Sequence, residues 1–312
     1  MNVAANPFSD SLVMEPKPQT IWGVPHATWF FAMGIGGALF INRALFGMDL
    51  GRVFGLIVAD VLSMILISIA GLVLISDLGK PLRVLRALMN PRTSWISIGA
   101  ICDFVFLILD GLWLIADLEI GGQRPFSDLL WAGNSPLGII FQCVAGAAAF
   151  VVIIYPGLVL ASSPAIPFWN TTLIPLQFLI FAFANGVGLA LISALWVEVP
   201  QSLLTVWGTA EVLLFASALI LFFAHLLNGV YSQTAAQISV SRLLNGDLRP
   251  FFVWGTLVLG LLLPLCLGLY GTLWANPGPG VVLLALSALI SLPGNWFSKY
   301  AVIKAGTYAP LI

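Results

Sequence analysis

Eight apolar runs, each near the roughly 20 residues that a helix needs to cross the hydrocarbon of a bilayer, recur at about 22–46, 51–75, 95–117, 137–160, 171–197, 203–228, 250–274 and 281–303. No single water-soluble core could bury that much apolar surface. Charged residues are correspondingly scarce: 12 Lys and Arg with 13 Asp and Glu, 8% of 312 residues, against about 25% in a soluble domain. Hydrophobic residues reach 60% and mean hydropathy is +1.04. The expected fold class is an all-α integral membrane protein, with eight transmembrane helices arranged as two four-helix bundles over 22–160 and 171–303. Tails of 1–21 and 304–312 flank them, and the first twenty residues lack the basic flank and long apolar run of a cleavable signal.

Turn and cap residues separate the runs at Asp49 to Gly51, Asp77 to Pro81, Asn134 to Pro136, Ser162 to Pro167, Pro200, Asn245 to Asp247 and Asn276 to Pro279. An even number of spans puts both termini on one side of the membrane, here termed the terminus side. Nine basic residues sort to it (Lys17, Lys80, Arg83, Arg86, Arg92, Arg242, Arg249, Lys299 and Lys304) against three opposite (Arg43, Arg52 and Arg124). The positive-inside rule makes the terminus side cytoplasmic, and a basic loop that docks a partner protein gives the same bias. The basic loops follow the second and sixth runs, the same place in each set of four. Arg86, Leu88 and Asn90 in the first have a loose echo in Arg242, Leu244 and Asn245 in the second. A net charge of -1 with basic residues scattered over many loops excludes nucleic acid as a partner. Cys102, Cys143 and Cys266 lie singly in apolar runs, a spacing that builds neither a disulfide framework nor a metal site nor an iron-sulfur cluster.

Two histidines are present. His26 follows Pro25 at the start of the first run, and His225 stands near the end of the sixth. An ionisable group within a span is a functional-site hypothesis by default, whereas a histidine resting at headgroup level is the plain alternative. A neutral imidazole at position 26 can hydrogen-bond a quinone carbonyl and supply a proton as the ring is reduced. The segment from Asp77 to Trp95 interleaves Asp77, Lys80, Arg83, Arg86 and Arg92 with Leu78, Leu82, Val84, Leu85, Leu88 and Met89, the pattern of a short amphipathic helix lying in the interface.

The stretch WGVPHATWFF (22–31), the GIGGA glycines (34–38), and the DLGKPLR and LMNPRTSW parts of the 77–95 loop together resemble the membrane-anchor subunits of the polysulfide reductase, or NrfD-like, family. The resemblance is dense over about 20–100 and rests on helix number and length beyond that. It implies a chain of a bacterial or archaeal cytoplasmic membrane that binds menaquinone or ubiquinone as substrate and carries no haem. It also implies exchange of electrons with a docked 4Fe-4S ferredoxin-like iron-sulfur subunit, the complex being completed by a molybdopterin catalytic subunit or a cytochrome. On this resemblance His26 is the quinone ligand and the 77–95 loop is the shelf beside quinone and partner. In several family members that shelf faces the periplasm, the opposite of the orientation that the charge count favours.

Acids inside the runs form a second constellation. Asp103, Asp110 and Asp117 are seven apart and keep within about 20° per heptad of one helix face. Asp60 in the second run and Arg43 in the first reach a depth close to Asp110, so these three are expected to meet; Glu211 lies at similar depth in the sixth run, with Glu198 and Asn185 in the fifth. They read either as an ion-paired polar core or as a proton path from the opposite side through Asp60, Asp110 and Asp103 to a quinone near His26. Tyr155 is either a second quinone contact or an interfacial belt residue. Gly34, Gly36, Gly37, Gly186 and Gly188 read as close-packing positions. Two other functions compete: a haem b anchor using His26 and His225, and a proton or solute transporter. Against the latter, the prolines fall mostly at the ends of runs rather than breaking them.

Overall fold

The computed structural model describes residues 15–77, 88–273 and 277–310. Eight helices long and apolar enough to span a membrane coincide with the eight runs: α1 (Val24–Phe46), α2 (Val58–Asp77), α3 (Trp95–Ile115), α4 (Pro136–Ala161), α5 (Leu173–Ser193), α6 (Gln201–Val230), α8 (Pro250–Leu273) and α9 (Pro277–Ala305). A shorter helix, α7 (Thr234–Leu244), lies between α6 and α8. The caps follow from local chemistry. Pro25 starts α1, where its missing N–H costs no hydrogen bond, and Gly47 ends it in the left-handed region at φ 62°. Ser94 and Ser135 accept the backbone N–H of Ser97 and Gly138 at the starts of α3 and α4.

Helices α1 and α5 are the inner elements. The first packs on α2, α4, α5 and α9, the second on α1, α4, α6 and α9, while α3 touches mainly α4 and α2. Close approach is set by small residues: a Cβ on Gly37 would stand 2.8 Å from the Ala149 carbonyl oxygen of α4. The termini are clasped together. Strand β1 (Lys17–Pro18) pairs antiparallel with β4 (Thr307–Tyr308), and Gln19 bonds the carbonyls of Trp22 at 2.8 Å and Ile303 at 3.0 Å through its amide nitrogen. Both ends therefore do lie on one side.

Several expectations need correction. The second span starts at Val58 and not near 51, because residues 51–57 form a tight hairpin of β2 (Arg52–Val53) and β3 (Leu56–Ile57) turning through Phe54 and Gly55 at positive φ. Residues 88–94, expected within an amphipathic helix, are turns; the part of that loop carrying Lys80, Arg83 and Arg86 lies outside the described residues, as does the Asp77 side chain. The amphipathic element that is described is α7, in the other basic loop. Lys299, counted among the terminus-side cations, lies within the eighth span and is buried inside the bundle, its ammonium 3.7 Å from the centre of the Phe178 ring. Arg43 lies inside the first span, as expected; setting it and Lys299 aside leaves eight basic residues against two in the sequence count, and the bias stands. Finally, prolines do interrupt spans: Pro156 in α4, Pro264 in α8 and Pro293 in α9. The first half of α8, Pro250–Leu262, is π-helical, an unusually long run of that form, and it crosses α9 where Gly260 meets Gly294.

Candidate functional site

On the terminus side, aromatic residues in and just before α1 flank His26. Trp22, held by Gln19, stacks on the imidazole at 4.6 Å, and Trp29 meets it edge-on at 6.4 Å. Trp29 Nε1 donates to Tyr155 Oη on α4 at 3.3 Å, and that hydroxyl donates to Asp103 Oδ2 on α3 at 3.3 Å. His26, Trp29, Tyr155 and Asp103 thus line up across three helices. The phenol approaches α3 because position 99 is glycine, where a Cβ would meet the ring at 2.4 Å. Tyr155 is only 1% exposed, so it is not a belt tyrosine, and His26 is buried between Trp22 and Trp29. Arg92 is exposed in the turn before α3, and Asp77 is the last residue of α2.

Toward the other side, the expected meeting of Arg43, Asp60 and Asp110 is present. Arg43 Nε donates to Asp60 Oδ1 at 2.8 Å and its Nη2 to Asp60 Oδ2, a bidentate pair. The same Nη2 donates to Gln142 Oε1 at 2.8 Å, and Gln142 Nε2 reaches Asp110 Oδ1 at 3.5 Å. One residue from each of α1 to α4 closes this network. Gln142 is the bridge that the sequence reading missed, for an amide in an apolar run gives no charge signal. The guanidinium is also sandwiched by Phe40 at 4.8 Å and Trp113 at 5.2 Å.

The acid stripe of α3 is not continuous. Phe106, fully buried, packs edge-on against Phe40 at 5.1 Å between Asp103 and Asp110, which stand about 10 Å apart along the helix. Asp117 lies beyond the end of α3 and pairs at 3.5 Å with Arg52.

Glu211 joins neither group. It is fully buried among α5, α8 and α9, where Ser287 Oγ donates to its Oε2 at 3.3 Å and lies 2.9 Å from the Pro264 carbonyl oxygen. Glycine at 188 makes room: a Cβ there would be 3.3 Å from Glu211 Oε1. Nearby, Ser291 donates to Asn185 at 3.3 Å. His225 is held on both ring nitrogens. Gln177 Nε2 donates to Nδ1 at 3.1 Å, which fixes the Nε2–H tautomer, and that N–H donates to the Phe168 carbonyl at 3.0 Å. No lone pair remains to ligate iron, so His225 does not suit the haem alternative. Outside the spans, Arg242 of α7 grips Asp247 through two bonds of 3.0 and 2.8 Å and the Lys304 carbonyl at 2.8 Å. The guanidinium holds the Asp247 carboxyl below its usual range.

A multi-pass helical membrane protein, with buried polar networks instead of a metal-ligand cluster among its described residues, is what fold and site define. The family profile described as "Polysulphide reductase, NrfD" matches residues 12–310, nearly the whole chain. The chain belongs to the NrfD family, whose members serve in general as quinone-interacting membrane-anchor subunits of oxidoreductase complexes alongside iron-sulfur and molybdopterin subunits. No curated protein matches it.

Proposed function

We propose that this chain is the quinone-reactive membrane anchor of a respiratory or sulfur-metabolising oxidoreductase complex. The observation that carries the reading is the row His26, Trp29, Tyr155 and Asp103 on the terminus side. Quinone reduction takes two electrons and two protons, and the reverse reaction releases them. The electrons come from or go to a 4Fe-4S ferredoxin-like subunit docked on the terminus side, with a molybdopterin catalytic subunit or a cytochrome beyond it. Menaquinone or ubiquinone places one carbonyl toward His26, whose imidazole hydrogen-bonds it and exchanges its proton. Tyr155 and Asp103 form the next hydroxyl and carboxyl along which a proton is passed. The 77–95 loop, with Asp77, Lys80, Arg83, Arg86 and Arg92, flanks the quinone and the partner.

The 22–160 and 171–303 halves act in this reading as two four-helix units that meet where α1 packs on α5. A proton path from Arg43, Asp60 and Asp110 to Asp103 requires the Phe40 and Phe106 layer to admit water during turnover. Glu211 serves the second unit. The membrane is the cytoplasmic membrane of a bacterium or archaeon. Titration of the purified complex with a quinone analogue tests the reading: His26→Ala is expected to weaken binding by about tenfold, the loss of one well-placed hydrogen bond. Unchanged affinity in both His26→Ala and Tyr155→Phe would count against it.

A further inference from the structure

A groove of about 610 Å³ runs along the lipid-facing side of α1, α4 and α5 at the membrane face opposite His26. Its α4 wall is the stripe Ile139, Cys143, Gly146, Ala147 and Phe150, which extends some 16 Å along the helix at 1.5 Å per residue. Small residues make its floor, and Phe183 closes the deep end. The outer end is polar: Arg43 and Gln142 face it, with Asn134 at the mouth. This is the shape of a slot for an isoprenoid chain with a head that sits about a helical turn below the interface.

The chemistry of the outer end narrows the occupant. Arg43 spends Nε and Nη2 on Asp60 and Gln142, while Nη1 makes no hydrogen bond to the described residues and retains two donors. Its charge is already matched by the Asp60 carboxylate, so a phosphate head gains little there. The other cations of this face, Arg52 and Arg124, are engaged with Asp117 and Glu119 and do not line the groove. A neutral ring with an acceptor oxygen fits, with Trp113 and Phe46 as apolar walls beside it. We propose that this groove binds an isoprenoid quinone, one ring carbonyl accepting from Arg43 Nη1, as a second site in the opposite leaflet from His26. The inference rests on the reading that the chain handles quinone. Its consequence is that quinone is held one residue from the Asp60 and Asp110 carboxyls, through Arg43 and Gln142.

Photolabelling separates the two sites. The whole complex, in nanodiscs of phosphatidylcholine, is irradiated with an azido-isoprenoid quinone and mapped by peptide mass spectrometry. Label on 139–150 that excess unlabelled quinone removes is expected, and Ala147→Trp, which fills the groove from its α4 wall, should cut it by about tenfold while label on 22–30 and Tyr155 stays. The competition needs no variant and so does not depend on how Ala147→Trp folds. Label confined to 22–30 and Tyr155 overturns this second site and leaves the first standing. Label on 139–150 that quinone does not displace marks an ordinary lipid groove and overturns the proposal. No label at either place overturns both readings.

Discussion

Phe106 of α3 stands edge-on to Phe40 of α1 at 5.1 Å, and this pair separates two sets of buried acids, Asp103 with Tyr155 on one side and Asp110 with Gln142 on the other. A proton moving between the sets must pass this aromatic layer. Phe106→Ala removes one wall of it and creates a cavity. It is expected to lower the melting temperature, as large-to-small core changes typically cost about 3–5 kcal/mol, and to raise passive proton leak across proteoliposomes. An unchanged leak in a folded variant would show that the layer is not the barrier.

Asp110→Asn keeps the shape and the Gln142 contact but removes the exchangeable carboxyl proton. If Asp60 and Asp110 deliver protons to the quinone, turnover in liposomes slows or loses its linked pH change. If the network only holds helices together, the variant changes melting temperature and leaves the proton-to-electron ratio as it was. Both quantities are read from one preparation.

Asp60→Asn strips the bidentate partner from Arg43 and leaves a guanidinium largely enclosed by Phe40, Trp113 and Gln142. Removing one member of a buried pair costs about 3–5 kcal/mol. The double variant Arg43→Gln with Asp60→Asn is expected to recover part of that loss, because no lone charge remains. A double variant less stable than the sum of the singles would reject the pairing argument.

Asp247 is held below its ordinary pKa of 3.8 by Arg242. A carboxyl depressed on folding adds stability above that value, and the contribution disappears as pH falls through the lower folded value. Acidification below about pH 4 should therefore loosen the turn that follows α7 from Arg242, by roughly 0.2–1 kcal/mol for so exposed a pair. Hydrogen exchange at the end of α7 and in the turn through Asp247 is expected to rise at low pH in the wild type, and Asp247→Asn should exchange similarly fast at neutral pH; exchange that ignores pH would contradict the pairing.

Much of this was legible in the sequence. Length and hydropathy place all eight spans, since only helices satisfy their own backbone inside lipid. Heptad spacing and depth bring Arg43, Asp60 and Asp110 together. The rest was not legible because it depends on rotation and contact. Glu211 shares the depth of Asp110 but faces Ser287 of α9 instead, and a depth estimate says nothing about facing. Gln142, Trp29 and Gln177 carry no charge in apolar surroundings, so they read as filler until partners appear. Lys299 counted as one more terminus-side cation because it stands near the end of its run, yet its ammonium lies over Phe178 inside the bundle. The π-helical first half of α8 leaves no compositional mark, as its residues suit an ordinary helix equally well.

Reversing charge at both Arg83 and Arg86 tests the docking surface. The iron-sulfur partner is expected to dissociate on purification at moderate salt, since these charges flank its proposed seat. An intact complex with unchanged salt resistance would move the docking surface elsewhere.

Quinone kinetics of His26→Ala in the assembled complex distinguish a quinone-reactive histidine from one that only packs. With the partner subunits still bound and reducible, the account predicts that quinone reduction or quinol oxidation falls by about 10²-fold, the typical contribution of a positioned acid-base group. Electron transfer within the partner subunits should be untouched. Wild-type quinone turnover in that variant, at every pH between 5 and 8 where a histidine changes charge, would contradict it.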